Sequence, residues 1–436
     1  MKTRVGTFNT GTGAAATTVA ITGFGFTPIA GRSFILLWWS GRTEGVNTIG
    51  NASHRRGVGI TTGPSVNFTA NSKSKDAVVG ADTASDSWDV RCVEIINASS
   101  DTEDGSLHTQ SFDADGFTVV IDKQFGQSFT IHYKAYDATD IQDSEYGLIT
   151  EPGSTGTVSY TFPGRRPDAL FAIGTQGLVG DGIATDSRFM QGFASFAKGA
   201  IQQITFAAGS NDASNPTQTI NYAQTGQFIS QLDTSLTLVT TRARVTAQNA
   251  NGFDLTWDEV SGVARQFQVL AVMGGQWFVG ATVSVTAGNN ITVTGVPFGP
   301  KGYSLISSNR TEPASDTPSD TDEWAFGAVD QNANQRSMST EDTDNVATTV
   351  VTTVVQFDSV IATGNGTTPT PAIDARITHT SFTADGWVDA QPTSDGAGRW
   401  IGYIAEGDAN PPEADSIQSG QSFGMTRYGV NSRRDI

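Results

Sequence analysis

Apolar and polar residues alternate along short stretches of this chain, for example over 127–136, 235–247 and 264–273. Alternation with a period of two is typical of half-buried β-strands, and Thr, Val and Phe fill these stretches while Gly, Asn, Asp and Ser separate them. Apolar residues at helical spacing are hard to find anywhere. The pattern therefore predicts an all-β protein of short strands, which must pack sheet on sheet to bury their apolar faces.

Three landmarks recur in constant order. A glycine inside an apolar stretch recurs at steps of 135 residues, at Gly57, Gly192 and Gly327. A glycine followed by an aromatic residue recurs at steps of 136 and 134 residues, at Gly116–Phe117, Gly252–Phe253 and Gly386–Trp387. The strand-like lines TVAIT, TVSYT and ITVTG open the three units. A long period carried by several landmarks indicates a tandem array of similar domains.

We therefore predict three tandem β-sandwich domains of Greek-key or jelly-roll-like type. Their predicted bounds are 1–143, 144–276 and 277–408, and an extended C-terminal arm follows at 409–436. Each domain has ordinary single-domain size and is long enough to bury a core. The three domains could close into a cluster with pseudo-three-fold symmetry or string out as a rod.

The repeated glycine–aromatic landmark predicts a β-hairpin. Asp115–Gly116 and Asn251–Gly252 are strong turn dipeptides, because Asp, Asn and Gly tolerate the positive φ of a type I′ turn. The aromatic residue then enters the next strand. A second aromatic follows 12 to 14 residues later, at Phe129, Phe267 and Trp400, and is expected to open the partner strand of the hairpin.

The composition narrows the classes of partner. The net charge is −18, with 44 acidic against 26 basic residues, which argues against nucleic acid and against an anionic membrane surface. No stretch reaches the roughly 18 apolar residues of a membrane span, and the N-terminal residues lack the apolar segment of a signal peptide. The lone Cys92 excludes an intramolecular disulfide and is expected to be a small buried residue.

No pattern of catalytic or metal-binding residues emerges. The G-x-S-x-G match at 420–424 has no histidine after Ser422 and no strand-turn-helix context, so a chance match is the better interpretation. Four scattered histidines give no zinc spacing. The acidic runs 315–323 and 340–345 lack the spacing of an EF-hand and are expected to be solvated loops. We predict no catalytic residue, no metal and no cofactor, although paired carboxylates that cleave glycosides cannot be recognised from sequence.

Two further patches are candidate contact sites. Trp38 and Trp39 alternate across a strand, so one ring is expected in the core while the other faces a second layer, a partner subunit or a ligand. The arm at 409–436 begins with a double proline and is expected to reach a neighbouring subunit or to be disordered. Its candidate contact residues are Arg427, Tyr428, Arg433 and Arg434.

The sequences around the predicted hairpins resemble a motif of a known class of proteins. FDADGFTVVI with GQSFTIHYKAYDA, and NGFDLTWDEVSGVARQFQVLAVMGG, resemble a motif of tailed-bacteriophage virion proteins whose usual form is DGF-x-L-x-W followed by AR-x-x-Y-x-A-L-G. The match covers about 25 residues in each third. The second copy matches best, the first lacks the Arg, and the third keeps only the aromatics and the glycine.

The resemblance implies a non-enzymatic structural protein on the surface of a phage head or tail, as a decoration, fibre or ring component. Its partners would be other virion proteins and copies of itself. It would be located in the virion after synthesis in the host cytoplasm. The alternative is a receptor-recognition protein of the tail that binds host glycans through Trp and Tyr exposed at one loop end.

Overall fold

The computed structural model describes residues 1–409 except Glu44, Val46, Pro163, 234–238, Asn309, 311–318, 366–370, Asp395 and Ala397. Within these residues the chain forms 33 β-strands and a single 3-10 turn, Ala197–Gly199. The predicted all-β fold is therefore confirmed. Every strand pairing is antiparallel, and the strands form seven-stranded and four-stranded sheets that pack in pairs.

We divide the strands into three units in chain order. Unit 1 comprises β1 Thr3–Asn9, β2 Thr18–Thr22, β3 Phe34–Trp39, β4 Thr48–Asn51, β5 His54–Gly63, β6 Val66–Ser74, β7 Thr83–Trp88, β8 Val93–Ile96, β9 Glu103–Asp113, β10 Gly116–Lys123 and β11 Thr130–Tyr136. Unit 2 comprises β12 Ile141–Thr150, β13 Gly156–Tyr160, β14 Ala169–Gly174, β15 Ala184–Thr185, β16 Ser187–Ser195, β17 Gln202–Ser210, β18 Thr219–Thr225, β19 Ile229–Leu232, β20 Val239–Asn249, β21 Gly252–Glu259 and β22 Gln266–Gly274. Unit 3 comprises β23 Gln276–Val283, β24 Asn290–Val293, β25 Gly302–Ser307, β26 Ser319–Asp320, β27 Asp322–Val329, β28 Gln335–Asp342, β29 Val351–Gln356, β30 Ile361–Asn365, β31 Ala372–Thr383, β32 Gly386–Thr393 and β33 Trp400–Gly407.

The three units share one strand order. In unit 1 the large sheet runs β1-β11-β3-β5-β6-β7 and the small sheet runs β2-β10-β9-β8, and units 2 and 3 repeat both orders. The chain crosses between the two sheets, and the last strand of each unit returns to the large sheet beside the first. Phe8, Phe117 and Tyr133, which lie on β1, β10 and β11, are in ring contact and show that the two sheets of unit 1 enclose a core.

Each unit also donates one strand to a neighbour. The short β15 of unit 2 extends the large sheet of unit 1 by pairing with β7, and β26 of unit 3 pairs with β18 of unit 2. Strand β4 of unit 1 pairs with β29 of unit 3 over four residue pairs. The exchange is therefore cyclic, and it closes the three units into a ring. It also pairs part of the outer strand of each large sheet, over two residue pairs at β7 and β18 and four at β29, where backbone groups would otherwise be unpaired.

The strands place the unit borders slightly upstream of the predicted ones. Strand β12 begins at Ile141 and pairs with β22 in the second large sheet, so the predicted border after 143 falls inside this strand. Strand β23 begins at Gln276, one residue before the predicted third domain. Of the predicted arm at 409–436, only Ala409 is among the described residues; its N–H donates to the Asp140 carboxylate at 3.0 Å.

The repeated hairpin is present in each unit, but its turn lies one residue earlier than predicted. Asp113 pairs with Gly116, so Ala114 and Asp115 form the turn and Gly116 already opens β10. Neither turn residue has a positive φ, so the predicted type I′ geometry is wrong. The equivalent pairs Asn249–Gly252 and Thr383–Gly386 have the same arrangement.

The hairpin glycine is required by a close backbone approach. A Cβ on Gly116, Gly252 or Gly386 would lie 1.9 Å from a carbonyl oxygen of the adjoining edge strand, at Ile21, Tyr160 and Val293 respectively. The strand that begins near the second aromatic of each unit, such as β11 after Phe129, does not pair with the hairpin. It lies in the large sheet, so the expected partner strand is also wrong.

A similar close backbone contact shows that one position of the first glycine landmark was predicted wrongly. A Cβ on Gly59, Gly192 or Gly327 would lie within 2 Å of a backbone carbonyl oxygen, at Cys92 (1.7 Å), Phe228 (1.9 Å) and Val360 (1.8 Å). In the pairing register Gly59 faces Leu37 as Gly192 faces Ala172 and Gly327 faces Leu305. The structural counterpart of Gly192 is therefore Gly59, two residues beyond the predicted Gly57.

The close backbone contact at the hairpin glycine predicts that two glycine-to-alanine variants lose very different amounts of unfolding free energy. Gly252→Ala places a methyl group against the Tyr160 carbonyl, and the strands must separate to admit it, so we expect a loss of about 1–3 kcal/mol or more. Gly153→Ala is the matched control, because a Cβ added there would meet no heavy atom within 4 Å and the change should stay within about 0.5 kcal/mol. Urea unfolding measures both, and equal effects would contradict the explanation.

Candidate functional site

The large sheets are buried on both faces, because the three units pack their large sheets against one another. Phe34 of β3 is in ring contact with Phe171 of unit 2 and Trp277 of unit 3, at centroid distances of 5.4 and 6.2 Å. Trp38 lies on the same face of β3 and contacts Phe326 of unit 3 at 5.1 Å. We call this shared apolar region the central core. It joins buried residues of all three units and is the first part of the candidate site.

Both tryptophans of the predicted pair are fully buried. Trp38 lies in the central core, while the Trp39 ring covers Gly57 on the opposite face of β3, inside the sandwich of unit 1. One ring is therefore in a domain core and the other faces a second layer, as the alternation predicts. Neither ring is exposed, so neither is placed to stack on a sugar.

Three equivalent loops meet at one end of the ring. They follow β6, β17 and β28, and their backbones exchange hydrogen bonds, such as the Ala81 N–H with the Ser214 carbonyl and the Thr217 N–H with the Val346 carbonyl, both 2.9 Å. One Asp in each loop accepts a backbone N–H at the start of the neighbouring unit's next strand. These bonds join Asp212 to Thr83, Asp344 to Thr219 and Asp76 to Val351, at 3.0, 2.7 and 2.9 Å.

The residue after each of these aspartates has a left-handed backbone. Ala77, Ala213 and Asn345 have φ values of 58°, 53° and 54°. A non-glycine residue is rare in this region and costs about 1–3 kcal/mol, so the surrounding contacts must hold it there. The contacts that do so are the interlocked loops themselves. This three-fold Asp interaction was not recognised in the sequence, although an Asp recurs there at nearly the repeat period.

Polar side chains meet in the centre of the ring below these loops. Arg56 donates from Nη1 and Nη2 to the two carboxylate oxygens of Asp322, at 2.5 and 2.6 Å, and from Nε to Ser72 at 2.9 Å. The guanidinium also lies over the Phe189 ring of unit 2, 5.5 Å from its centroid. Arg56 and Asp322 are fully buried, so this bidentate pair joins units 1 and 3 out of contact with water.

Asp342 of unit 3 lies beside this pair. Burial raises the pKa of its carboxyl to about 7, and the nearby Asp322 acts in the same direction, while the hydroxyls of Ser74 and Ser210 and the charge of Arg56 oppose the rise. Those hydroxyls are close enough to influence Asp342, yet neither makes a hydrogen bond of normal geometry to it. We call Arg56, Ser74, Ser210, Asp322 and Asp342 the central polar cluster.

The raised pKa of Asp342 predicts a pH dependence with a definite sign. The folded protein binds the proton more tightly than the unfolded chain, so this group favours folding at low pH and loses that contribution as pH rises from about 4 to about 7. Asp342→Asn keeps a neutral side chain at every pH. We expect the variant to lose less stability than the wild type between about pH 5 and pH 8, by on the order of a few kcal/mol, in urea unfolding.

The hairpin anchors Phe117, Phe253 and Trp387 are buried in the cores of their units. In unit 3 the anchor is held by a polar network, since Trp387 Nε1 and the Tyr303 hydroxyl donate to Asp389 at 3.0 and 2.5 Å. His379 Nδ1 lies 3.2 Å from the same carboxylate. These hydrogen bonds account for polar residues in the core of unit 3. Arg427, Tyr428, Arg433 and Arg434 lie outside the described residues.

The two acidic runs were predicted to be solvated loops. This prediction is wrong for those of their residues that lie in strands β27 and β28. Asp322 and Glu323 open β27 and are buried, with Glu323 paired to Arg399. Asp342 is buried as well, whereas 315–318 lie outside the described part of the chain. Among the described residues no group of three or more His, Cys, Asp or Glu is arranged to hold a metal ion. No helix there is long and apolar enough to cross a membrane.

Comparison with known proteins returned no similar family model, no similar curated protein and no similar solved structure. The geometry of the chain and the hairpin resemblance are therefore the guides to its function. The main features of that geometry are the cyclic strand exchange, the central core, the interlocked Asp loops and the central polar cluster. All four are contacts between units.

Proposed function

We propose that this chain is a non-enzymatic structural protein on the surface of a tailed-bacteriophage particle. The observation that supports it most directly is the cyclic strand exchange, by which β4, β15 and β26 each complete the sheet of a neighbouring unit. The three units form a closed ring, not a rod, and a ring of three similar units suits a position of three-fold symmetry on a particle. The hairpin resemblance supplies the link to virion proteins.

The burial of the aromatic residues supports a structural role over glycan binding. All eight tryptophans are described; seven are buried, and only Trp88 is half-buried. The Trp88 ring is covered by Arg91, whose guanidinium lies 4.3 Å from the ring centroid. A glycan-binding module needs several exposed aromatic rings together, and the tryptophans do not supply them. Among the described residues, no specific observation favours the receptor-binding alternative.

The proposal is tested by locating the chain in a purified particle. We expect a cryo-EM reconstruction of the phage that encodes it to show the ring on the particle surface, with its pseudo-three-fold axis along a symmetry axis of the head or tail. A deletion phage should assemble less stable particles. Absence of the chain from purified particles would exclude the structural role, and intact deletion particles that fail only in adsorption would favour receptor recognition.

A further inference from the structure

A lysine and a glutamate contact each other inside the central core. Lys134 of β11 in unit 1 and Glu406 of β33 in unit 3 are both fully buried, and Nζ contacts Oε1. In the strand registers Leu270 and Ile404 occupy the position of Lys134 in the other units, and Tyr136 and Val272 occupy that of Glu406. The charged pair thus stands where the corresponding residues are apolar or aromatic.

The two groups are close enough for each to shift the pKa of the other, but the angles of the contact lie outside the range of a normal hydrogen bond. Lys134 Nζ has no hydrogen-bond partner, and neither carboxylate oxygen of Glu406 has one. Lys73 provides the comparison, because its Nζ is also buried and contacts Asp82, but does donate a hydrogen bond to that carboxylate. The amine of Lys134 and the carboxyl group of Glu406 therefore meet at angles outside the range of a normal hydrogen bond. A buried ion pair without hydrogen bonds would be strongly unfavourable.

The surroundings favour the neutral forms of both groups. Burial lowers the pKa of Lys134, although Glu406 opposes this. Burial raises the pKa of Glu406 to about 7, against the attraction of Lys134 and the N-terminal ammonium group, while Asp330 adds to the rise. A neutral amine is a nucleophile, and a neutral carboxylic acid can lose its hydroxyl group as water, so these are the forms that can condense.

We propose that Lys134 and Glu406 form an intramolecular isopeptide bond. The lone pair of Nζ attacks Cδ of Glu406, and a C–N bond forms. The C–O bond of the acid hydroxyl then breaks, and this hydroxyl leaves with one amine proton as water. The reaction needs no oxidant, reductant or other reactant. The resulting amide removes both charges from the central core.

The bond would close the ring covalently. Lys134 belongs to unit 1 and Glu406 to unit 3, the two units that β4 also joins through its pairing with β29. With the amide in place, separation of β4 from unit 3 would not open the ring. The bond would form whether or not the chain resides on a phage particle.

Intact-mass spectrometry of the denatured full chain tests the proposal. We expect the wild-type mass to fall below the sequence mass by one water molecule, and tandem spectra after trypsin should show the Lys134 and Glu406 peptides joined. The variants Lys134→Met and Glu406→Leu should have their full sequence masses. Lys73→Met is the matched control and should keep the deficit of one water, because that lysine is hydrogen-bonded to Asp82.

Electrophoresis gives an independent readout. The cross-linked chain should migrate faster than Lys134→Met in denaturing gels, and reducing agent should change neither, because Cys92 is the lone cysteine. A wild-type chain of full sequence mass would overturn the proposal. A deficit that persists in Lys134→Met would overturn it as well, because the bond would then lie elsewhere. The wild-type result does not depend on whether the variants fold.

Discussion

Trp38→Ala is expected to lower the free energy of unfolding by about 3–5 kcal/mol, the usual cost of removing a fully buried large aromatic side chain. The Trp38 ring packs edge-on against Phe326 of unit 3 at a centroid distance of 5.1 Å, so the variant opens a cavity between units rather than within one. Urea unfolding monitored by circular dichroism measures the loss.

The coupling between Trp38 and Phe326 separates this explanation from a general packing effect. In a double-mutant cycle, Trp38→Ala with Phe326→Ala should be non-additive by about 0.5–3 kcal/mol, because the two rings share one contact. Trp39→Ala with Phe326→Ala should be close to additive, because Trp39 lies inside unit 1. Additivity in both cycles would show that the central core does not couple the units.

The sequence predicted the strands well, because alternating apolar and polar residues mark a strand. The half-buried character expected from that alternation holds for β20, whereas β11 and β22 lie in large sheets and are buried on both faces. The positions of the repeated hairpins followed from Gly116, Gly252 and Gly386. The reason why these positions require glycine could not be predicted, because the carbonyl group that approaches each of them belongs to another strand and leaves no pattern in the local sequence. The continuous apolar run of β3, Phe34–Trp39, carried a further signal. Six buried residues in a row indicate a strand covered on both faces, and thus a layer beyond the sandwich.

The contacts between units were hidden because they join residues far apart in the chain. Asp76, Asp212 and Asp344 recur at nearly the repeat period, but the sequence does not show that each accepts an N–H of a neighbouring unit. The same holds for Arg56 and Asp322, which are 266 residues apart. An acidic run is expected to be solvated when the basic residue that pairs with it cannot be identified from the sequence. The buried carboxylates were therefore predicted to be exposed.

Arg56→Ala is expected to lower the free energy of unfolding by about 3–5 kcal/mol, because it leaves the Asp322 carboxylate buried without its partner. The matched control is Arg244→Ala. That guanidinium pairs with Asp258, but its side chain is 48% exposed, so its loss should cost at most about 1 kcal/mol. Equal losses in the two variants would show that the buried pair has no special weight.

Replacing both partners separates the cost of an unpaired charge from the value of the pair. Arg56→Met combined with Asp322→Leu removes both charges and keeps apolar volume, so we expect it to be more stable than Arg56→Ala. Urea unfolding at neutral pH measures all three chains. Asp342, whose pKa burial raises to about 7, lies beside the pair and loses the opposing charge of Arg56 in both variants. Its pKa should therefore rise further in Arg56→Ala, where Asp322 remains, and the stability of that variant should fall more steeply with increasing pH.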